Sequence, residues 1–177
     1  GRHLWIFCAC LVLGVALVAA GGGLYRQVAG ALQDDARALF GGDVEVRHAR
    51  PLPADALAWM QARGTVSRVI ELRTMLRTEA GRAQLIELMS ADGAYPLYGT
   101  VALQPAGTLA EALTQRDGQW GAAIDASLAT RLGLKPGDRV TIGDLSLTVR
   151  ALIVRQPDRS LRADWGAAPV LVAEGAL

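Results

Sequence analysis

Residues 4–24 read LWIFCACLVLGVALVAAGGGL, and this stretch, which contains no Lys, Arg, Asp or Glu, organises the rest of the chain. Ten of its residues are Leu, Ile, Phe or Val, and together they favour insertion into a bilayer by roughly 3–6 kcal/mol. As a helix the stretch is about 31 Å long, close to the thickness of the hydrocarbon core of a membrane. We therefore predict a transmembrane helix over residues 1–24.

A cleaved signal peptide is the main alternative for this stretch. Residues 16–20 include small side chains of the kind that precede a cleavage site. The apolar run is long, however, and Arg2 is the only Lys or Arg before it. A lipoprotein signal fits less well, because neither Cys8 nor Cys10 follows a Leu-x-Ala/Gly sequence. The pattern favours a membrane anchor.

Residues 25–42 continue a helical pattern beyond the anchor. Apolar side chains recur at three- and four-residue steps, at positions 24, 28, 31, 32, 36 and 39. The adjacent Asp34 and Asp35 diverge on a helix and indicate a solvated face, and Gly41 with Gly42 ends the helix. We predict a stalk helix here. The glycines at 21–23 weaken a helix by roughly 1 kcal/mol each, so they form either a frayed membrane exit or a hinge.

The next segment predicts a β-α-β-β-β order. Pro51 and Pro53 suit the start of a helix, and Gly64 suits its end. Alternating apolar and polar residues on both sides of residues 79–82 indicate a hairpin. The predicted elements are a strand at 43–48, a helix at 54–63, hairpin strands at 65–77 and 83–90, a turn at 95–99 and a strand at 100–104.

From residue 105 onward the local signals change. Thr108 with Glu111 three residues later has the spacing of a capping box, and Asp125 suits the N-cap of a second helix. Gly143-Asp144 is a two-residue hairpin signal. The predicted elements are helices at 108–114 and 126–132, strands at 120–124, 139–142, 145–154 and 170–173, a turn at 135–138 and a polar loop at 156–168. Residues 145, 147, 149 and 151 alternate with polar residues as one apolar face.

The composition excludes several classes of protein. A net charge of +1 excludes a strongly basic nucleic-acid-binding protein. The chain lacks the P-loop, G-x-S-x-G, H-E-x-x-H and Cys-x-x-Cys patterns. Both cysteines lie in the anchor, two positions apart on different helix faces, and His3 and His48 are the only histidines. We therefore predict no catalytic, cofactor-binding or metal-binding residues, no cofactor and no enzymatic activity.

Two polar or aromatic groups carry alternative interpretations. Tyr95 and Tyr98 fit aromatic anchors of a turn packed on a sheet better than a ligand cage. Asp158 and Asp164 flank two arginines, at 159 and 162, in the polar loop. That loop is either a partner contact or a solvated surface, and the pattern favours the solvated surface.

Five segments carry a resemblance to a known family. They are LFGGDVEV at 39–46, ELR at 71–73, YPLYGTV at 95–101, AID at 123–125 with LGLKPGD at 132–138, and RQPDR at 155–159. With them the chain resembles the first membrane helix and the periplasmic core domain of an ABC transporter permease of the MacB/FtsX type, most closely its YbbP-like subgroup. GGD followed by YPLYG is fairly specific, whereas LGLKPGD alone is common in small β-domains.

The resemblance implies an α+β fold in which the transmembrane and stalk helix is followed by a two-lobed mixed α/β periplasmic domain. It implies a main lobe at 43–104 plus 151–177 and an inserted smaller lobe at 105–150. It also implies a bacterial inner-membrane permease with residues after about 25 in the periplasm. ATP would be hydrolysed by a separate cytoplasmic ATPase subunit. The other implied partners are further transmembrane helices, a second periplasmic domain or second permease copy, and lipid, lipoprotein or other hydrophobic cargo.

Two other functions remain as alternatives. A single-pass envelope sensor or partner-binding domain would have the same anchor and a folded outer domain, and differs from a permease in having no further membrane spans. A membrane-anchored hydrolase requires a nucleophile and a base, and no such pair is visible in the sequence. The permease interpretation, an interaction and mechanical module, is the one we favour.

Overall fold

The computed structural model describes residues 41–157 and 167–177, with residues 2, 5–8, 11–16, 19, 22 and 23 of the N-terminal region. The chain divides into two compact units, Gly1–Ala38 and Leu39–Leu177. The described N-terminal residues are helical. In this part of the chain, no helix has both the length and the apolar character needed to cross a bilayer. The predicted stalk falls almost wholly on residues 24–40, outside the described residues, and both the anchor and the stalk stay predictions.

The described residues of Leu39–Leu177 form three α-helices and seven strands. The helices are α1 (Ala54–Gln61), α2 (Leu109–Leu113) and α3 (Ala126–Leu132). The strands are β1 (Val69–Thr78), β2 (Ala83–Ala91), β3 (Ala102–Gln104), β4 (Trp120–Asp125), β5 (Arg139–Ile142), β6 (Leu145–Arg155) and β7 (Ala168–Ala173). A short 3₁₀ helix, Glu174–Ala176, follows β7.

Most of the predicted elements are present, and local sequence explains their ends. Thr108 and Glu111 form the reciprocal capping box at the start of α2. Asp125 caps α3 by accepting hydrogen bonds from the N–H groups of Ser127 and Leu128, and Gly133, in the left-handed conformation, ends that helix. β1 and β2 form the predicted antiparallel hairpin.

The predicted strand at residues 43–48 is wrong. These residues have no regular structure and pair with none of the described strands. Val44 is 82% and Val46 is 54% exposed, so the alternating pattern has no sheet face on which to bury its valines. Alternation over six residues is a weak signal unless a neighbouring strand supplies hydrogen-bond partners.

The seven strands form one sheet in the order β3-β6-β4-β7-β2-β1-β5. Because β5 also pairs with β6, six of the strands close into a barrel. The remaining strand, β3, pairs with the C-terminal end of β6. β4 runs parallel to β6, and β2 runs parallel to β7. The division into a main and an inserted lobe stays a prediction, and strands from both ranges take part in this sheet.

The two faces of the sheet carry separate hydrophobic clusters. The inner core is enclosed by the strands and by α3; its fully buried members include Leu76, Ile86, Leu88, Ile124, Leu128, Leu147, Val149 and Val170. The outer core lies on the opposite face under α2 and the segment before β3; its buried members are Met89, Ala91, Ala112, Leu113, Ala123, Ala151, Ile153 and Leu171. The fold is thus a mixed α/β domain with a core on each face of one sheet.

A bulge at Arg150 allows β6 to contribute to both cores. The register with β4 shifts between Ala122, which lies opposite Val149, and Ala123, which lies opposite Ala151. Val149 therefore belongs to the inner core and Ala151 to the outer core. The prediction that residues 145, 147, 149 and 151 share one face is wrong at its last member, because an extra residue in one strand reverses the side-chain alternation.

Gly121 in β4 is where α2 approaches the sheet most closely. A Cβ atom at this position would lie 2.0 Å from the carbonyl oxygen of Ala112 and 3.0 Å from the side chain of Arg150. Only a residue without a side chain permits this contact between helix and strand backbones. Gly121 thereby sets the distance between α2 and the sheet.

Candidate functional site

Three segments that are distant in the sequence meet at one place in the fold. They are residues 41–43, 95–99 and 155–157, and we call their meeting point the three-motif junction. Each contains part of a motif that carries the family resemblance. The first segment consists of the last two residues of the predicted stalk and the residue that follows it. The second segment follows β2, and the third includes the end of β6.

Tyr98 ties the first segment to the second. Its hydroxyl donates a hydrogen bond of 2.9 Å to Oδ2 of Asp43, across 55 positions of sequence. A hydrogen bond to a charged carboxylate is stronger than one between neutral groups. The chain at the start of the domain is therefore held against the 95–99 turn.

Gln156 ties the second segment to the third and to the outer core. Its Nε2 donates a hydrogen bond of 2.8 Å to the Tyr95 hydroxyl and lies 3.5 Å from Sδ of Met89. Gln156 is only 6% exposed, and its Oε1 has no hydrogen-bond partner among the described residues. Tyr95 packs against the outer core, so the junction rests directly on the sheet.

Gly99 allows the turn to lie against the end of β6. Its φ of +76° lies in the left-handed region, and a Cβ atom there would lie 2.9 Å from Cβ of Pro157. Both the backbone conformation and the close contact require glycine. This explains why the turn ends in glycine.

Asp92 fixes the entry to the turn from β2. It accepts hydrogen bonds from the Ser67 hydroxyl at 2.9 Å and from the backbone N–H groups of Arg68 at 2.7 Å and Ala94 at 3.1 Å. Arg68 also forms an ion pair with Glu174 in the 3₁₀ helix. The turn thus begins from an anchored end of the β1–β2 hairpin.

Two charged groups of the α2 region have shifted pKa values. Burial lowers the pKa of the Arg150 guanidinium, with a smaller contribution from Arg116, and that guanidinium donates to the carbonyl oxygens of Thr114 and Gln119. The backbone hydrogen bond from Thr108 lowers the pKa of the Glu111 carboxyl, followed by the bond from the Thr108 hydroxyl. Both groups stabilise the ends of α2 and lie outside the three-motif junction.

The junction is built from packing contacts and hydrogen bonds. Tyr95 packs on the outer core, as the turn-anchor interpretation predicted. The hydrogen bond from Tyr98 to Asp43 was not predicted. Within the described ranges, no three His, Cys, Asp or Glu side chains are grouped as a metal ion requires. The acidic pairs at 34–35 and at 158 and 164 lie outside the described residues.

Sequence reasoning did not find the contacts between the three segments. Gln156 was predicted as part of a polar loop, yet it is buried under the Tyr95 turn. The available signal was the occurrence of GGD, YPLYG and RQP together in one resemblance.

The sequence is similar to that of a known bacterial permease. The chain is 31% identical over 158 residues to the uncharacterized ABC transporter permease YbbP of Escherichia coli (strain K12), a match covering 88% of this chain and 18% of YbbP. The chain therefore spans less than a fifth of that relative. No protein-family model matches the chain.

The fold also matches that of a solved periplasmic domain. The periplasmic region of MacB from Actinobacillus actinomycetemcomitans aligns with a TM-score of 0.52 and 12% identity, covering 73% of this chain and 58% of that one. At this level of identity the match concerns the fold alone. With the similarity to YbbP, it confirms that the chain resembles the periplasmic core domain of a MacB/FtsX-type ABC transporter permease of the YbbP-like subgroup.

Proposed function

We propose that the chain is part of an ABC transporter permease subunit whose folded domain lies in the periplasm. In this role the domain couples ATP hydrolysis by a cytoplasmic ATPase subunit to the export or extraction of lipid, lipoprotein or other hydrophobic cargo. The observation that carries the proposal is the three-motif junction, which ties the first residues of the domain to its sheet.

The N-terminal residues support a place in the inner membrane. Residues 4–24 carry no Lys, Arg, Asp or Glu. Large apolar side chains in the described helical residues are exposed, among them Trp5 at 80%, Phe7 at 64% and Leu13 at 74%. Lipid is the solvent in which such a surface is stable. We place residues after about 25 in the periplasm.

The junction provides a short path for force between the stalk and the sheet. Asp43 is the first residue after the predicted stalk, and its carboxylate accepts a hydrogen bond from the Tyr98 hydroxyl. Three positions before Tyr98, the same turn begins with Tyr95. Tyr95 packs on the outer core and accepts the hydrogen bond from Gln156 at the end of β6. A displacement of the stalk therefore reaches β6 through two hydrogen bonds and one five-residue turn. This is mechanotransmission without a channel.

The remaining partners of such a permease belong to the proposal as well. They are the ATPase, further transmembrane helices, and a second periplasmic domain or second permease copy. We assign the main lobe to 43–104 plus 151–177 and the inserted lobe to 105–150. Cargo then contacts the surface of the periplasmic domain at the outer leaflet.

The complete gene that contains this chain allows a direct test. Its product is expressed with the ATPase encoded beside it, purified, and reconstituted in liposomes that contain a fluorescent phosphatidylethanolamine. We expect the ATPase to copurify and ATP to increase release of the labelled lipid to a lipid-binding acceptor. A product with no further membrane spans and no copurifying ATPase would contradict the proposal and favour the sensor or partner-binding function.

A further inference from the structure

The end of the barrel at the β1–β2 turn carries a positively charged surface. Two segments form it: residues 77–83, which connect β1 to β2, and residues 131–139, which run from the end of α3 to the start of β5. The segments adjoin, because Nη2 of Arg82 donates a hydrogen bond of 2.9 Å to the carbonyl oxygen of Arg131, and β1 pairs with β5 beside this contact. We call these two segments the basic surface.

Positive charge is concentrated on the basic surface. Residues 41–157 and 167–177 together carry thirteen Lys or Arg and thirteen Asp or Glu side chains, so the described part of the domain is neutral as a whole. The five cationic side chains of the basic surface are all exposed: Arg77, Arg82, Arg131, Lys135 and Arg139. Its carboxylates are Glu79 and Asp138, so the surface has an excess of three positive charges.

The cations of the basic surface lack carboxylate partners. None of the five forms an ion pair with a residue that the structure describes. Arg82 and Arg131 contribute to the fold through hydrogen bonds at α3. The side chains of Arg77, Lys135 and Arg139 donate no hydrogen bond within the described ranges. Uncompensated like charges repel one another, and an acidic partner would relieve that repulsion.

The chemistry of the surface favours protein carboxylates over a bilayer. Four of its five cations are arginines, whose planar guanidinium groups bind carboxylates with two parallel hydrogen bonds. Surfaces that bind a bilayer combine cations with large apolar side chains that enter it. The basic surface exposes no such side chain, because Leu132 and Leu134 are its large apolar residues and both are buried.

We propose that the basic surface is a docking site for an acidic protein, whose clustered Asp and Glu side chains pair with the exposed cations. Arg77, Lys135 and Arg139 supply contacts that have no other use in the described fold. Complementary charge accelerates association and selects the partner more than it raises affinity, so the complex should be sensitive to salt. This inference concerns protein binding and requires neither ATP hydrolysis nor lipid release.

An acidic peptide tests the surface in the full 177-residue chain, held in an uncharged mild detergent. The probe is a peptide of eight glutamates with a fluorescent label at its N-terminus, and fluorescence anisotropy measures its Kd. We expect binding at about 50 mM NaCl, with Kd rising about tenfold or more at about 300 mM as the charges are screened. A wild-type chain that does not bind the peptide at low salt would overturn the proposal.

Charge reversal locates the binding. The double variant Arg77→Glu with Arg139→Glu should raise Kd about tenfold or more. Arg50→Glu with Arg63→Glu is the matched control: both residues are exposed, lie outside the basic surface and change the net charge equally. The control should bind within about twofold of wild type. Equal weakening by both variants would mean that the net charge alone attracts the peptide, and would contradict a docking site.

The lysine content of the chain allows a second test without charge reversal. Lys135 is the only lysine, so a carbodiimide reagent that joins carboxylates directly to amines should attach the bound peptide at Lys135. Mass spectrometry identifies the attachment site. Lys135→Arg keeps the charge, and should keep the peptide affinity while losing the covalent product. Attachment confined to the amino group of Gly1, or an undiminished yield in Lys135→Arg, would overturn the proposal.

A soluble lipid separates a protein partner from a lipid headgroup. Dihexanoyl phosphatidylglycerol, which carries one negative charge, should displace the peptide poorly. Displacement at the same concentration as unlabelled peptide would favour a lipid headgroup and contradict the proposal. Failure of lipid release by the complete transporter leaves all of these measurements unaffected, so this proposal and the proposed function can fail independently.

Discussion

The inner and outer cores lie on opposite faces of the same sheet but are held together differently. The inner core is built from aliphatic side chains, among which Leu, Ile and Val dominate. The outer core has smaller side chains, four of them alanines. It is covered by the five-residue helix α2 and by the 95–99 turn. Arg150 holds the segment after the helix, and the hydrogen bond between Gln156 and Tyr95 holds the turn. Packing holds the inner core, whereas hydrogen bonds and one close backbone contact hold the outer core.

This difference indicates where the domain can respond to its neighbours. The outer core carries the three-motif junction, whose polar contacts can be changed one at a time. The inner core closes the barrel and consists of apolar side chains. Substitutions in the inner core should therefore change stability, and those at the junction should change coupling with little loss of stability.

The largest effect is expected from Leu147→Ala in the inner core. Leu147 is fully buried, and removing its side chain leaves a cavity that lowers the free energy of unfolding by about 2–5 kcal/mol. Urea unfolding followed by circular dichroism measures the loss. Leu85→Ala is the control. Because Leu85 is 47% exposed, this substitution should lower the free energy of unfolding much less than Leu147→Ala does. Equal losses would remove the distinction between packed and exposed apolar positions.

The next effect is expected from Gly121→Ala in the outer core. The added Cβ would lie 2.0 Å from the Ala112 carbonyl oxygen, so α2 must move, at a cost of about 1–3 kcal/mol of unfolding free energy. Gly64→Ala is the matched control, since nothing lies within 4 Å of its Cβ position. The same urea titration should show no loss for the control. An unchanged stability of Gly121→Ala would mean that α2 does not need its close approach.

A smaller effect is expected from Tyr95→Phe. The buried Nε2 of Gln156 loses its oxygen acceptor, which lowers the free energy of unfolding by about 1 kcal/mol. Tyr98→Phe removes a bond to the exposed Asp43 and should cost less. If Tyr98→Phe proved the more destabilising of the two in urea, the contact between Tyr95 and Gln156 on the outer core would not be the part of the junction that supports the fold.

The smallest effect is a pH dependence at α2. The pKa of Glu111 is lowered in the fold, chiefly by the Thr108 backbone hydrogen bond. The ionised carboxylate therefore stabilises the fold, and this stabilisation is fully present above the unfolded pKa of the carboxyl. It is lost as the pH falls through the folded pKa. Glu111→Gln should show a shallower loss of stability between neutral and acidic pH than the wild type does. Urea titrations at a series of pH values measure the free energy of unfolding of both proteins. If it changed equally with pH in the variant and in the wild type, this carboxylate would have no such role.

Local signals predicted the parts of the fold that depend on neighbouring residues. The β1–β2 hairpin, the capping box of Thr108 and the Asp125 cap are confirmed, because each is decided within a few positions of sequence. The closure of the barrel was not predictable in this way. It depends on the pairing of β5 with β1 at Leu76 and Ile142, which are 66 positions apart. The alternation of apolar and polar residues within a strand does not identify a partner at that distance.

The errors also have physical causes. The strand predicted at 43–48 fails because Val44 and Val46 find no sheet, and the face of β6 changes at Arg150 because of the bulge. The junction was represented in the sequence only by motifs with no chemistry of their own. Its hydrogen bonds between Tyr98 and Asp43 and between Gln156 and Tyr95 required the fold to bring those segments together.

In the proposed function, the three-motif junction transmits movement to the periplasmic domain. The most direct test is the ratio of labelled lipid released to ATP hydrolysed by the reconstituted complete transporter, compared between wild type and Tyr98→Phe. We expect the variant to hydrolyse ATP and to release severalfold less lipid per ATP, because the bond to Asp43 is lost. An unchanged ratio would contradict the claim.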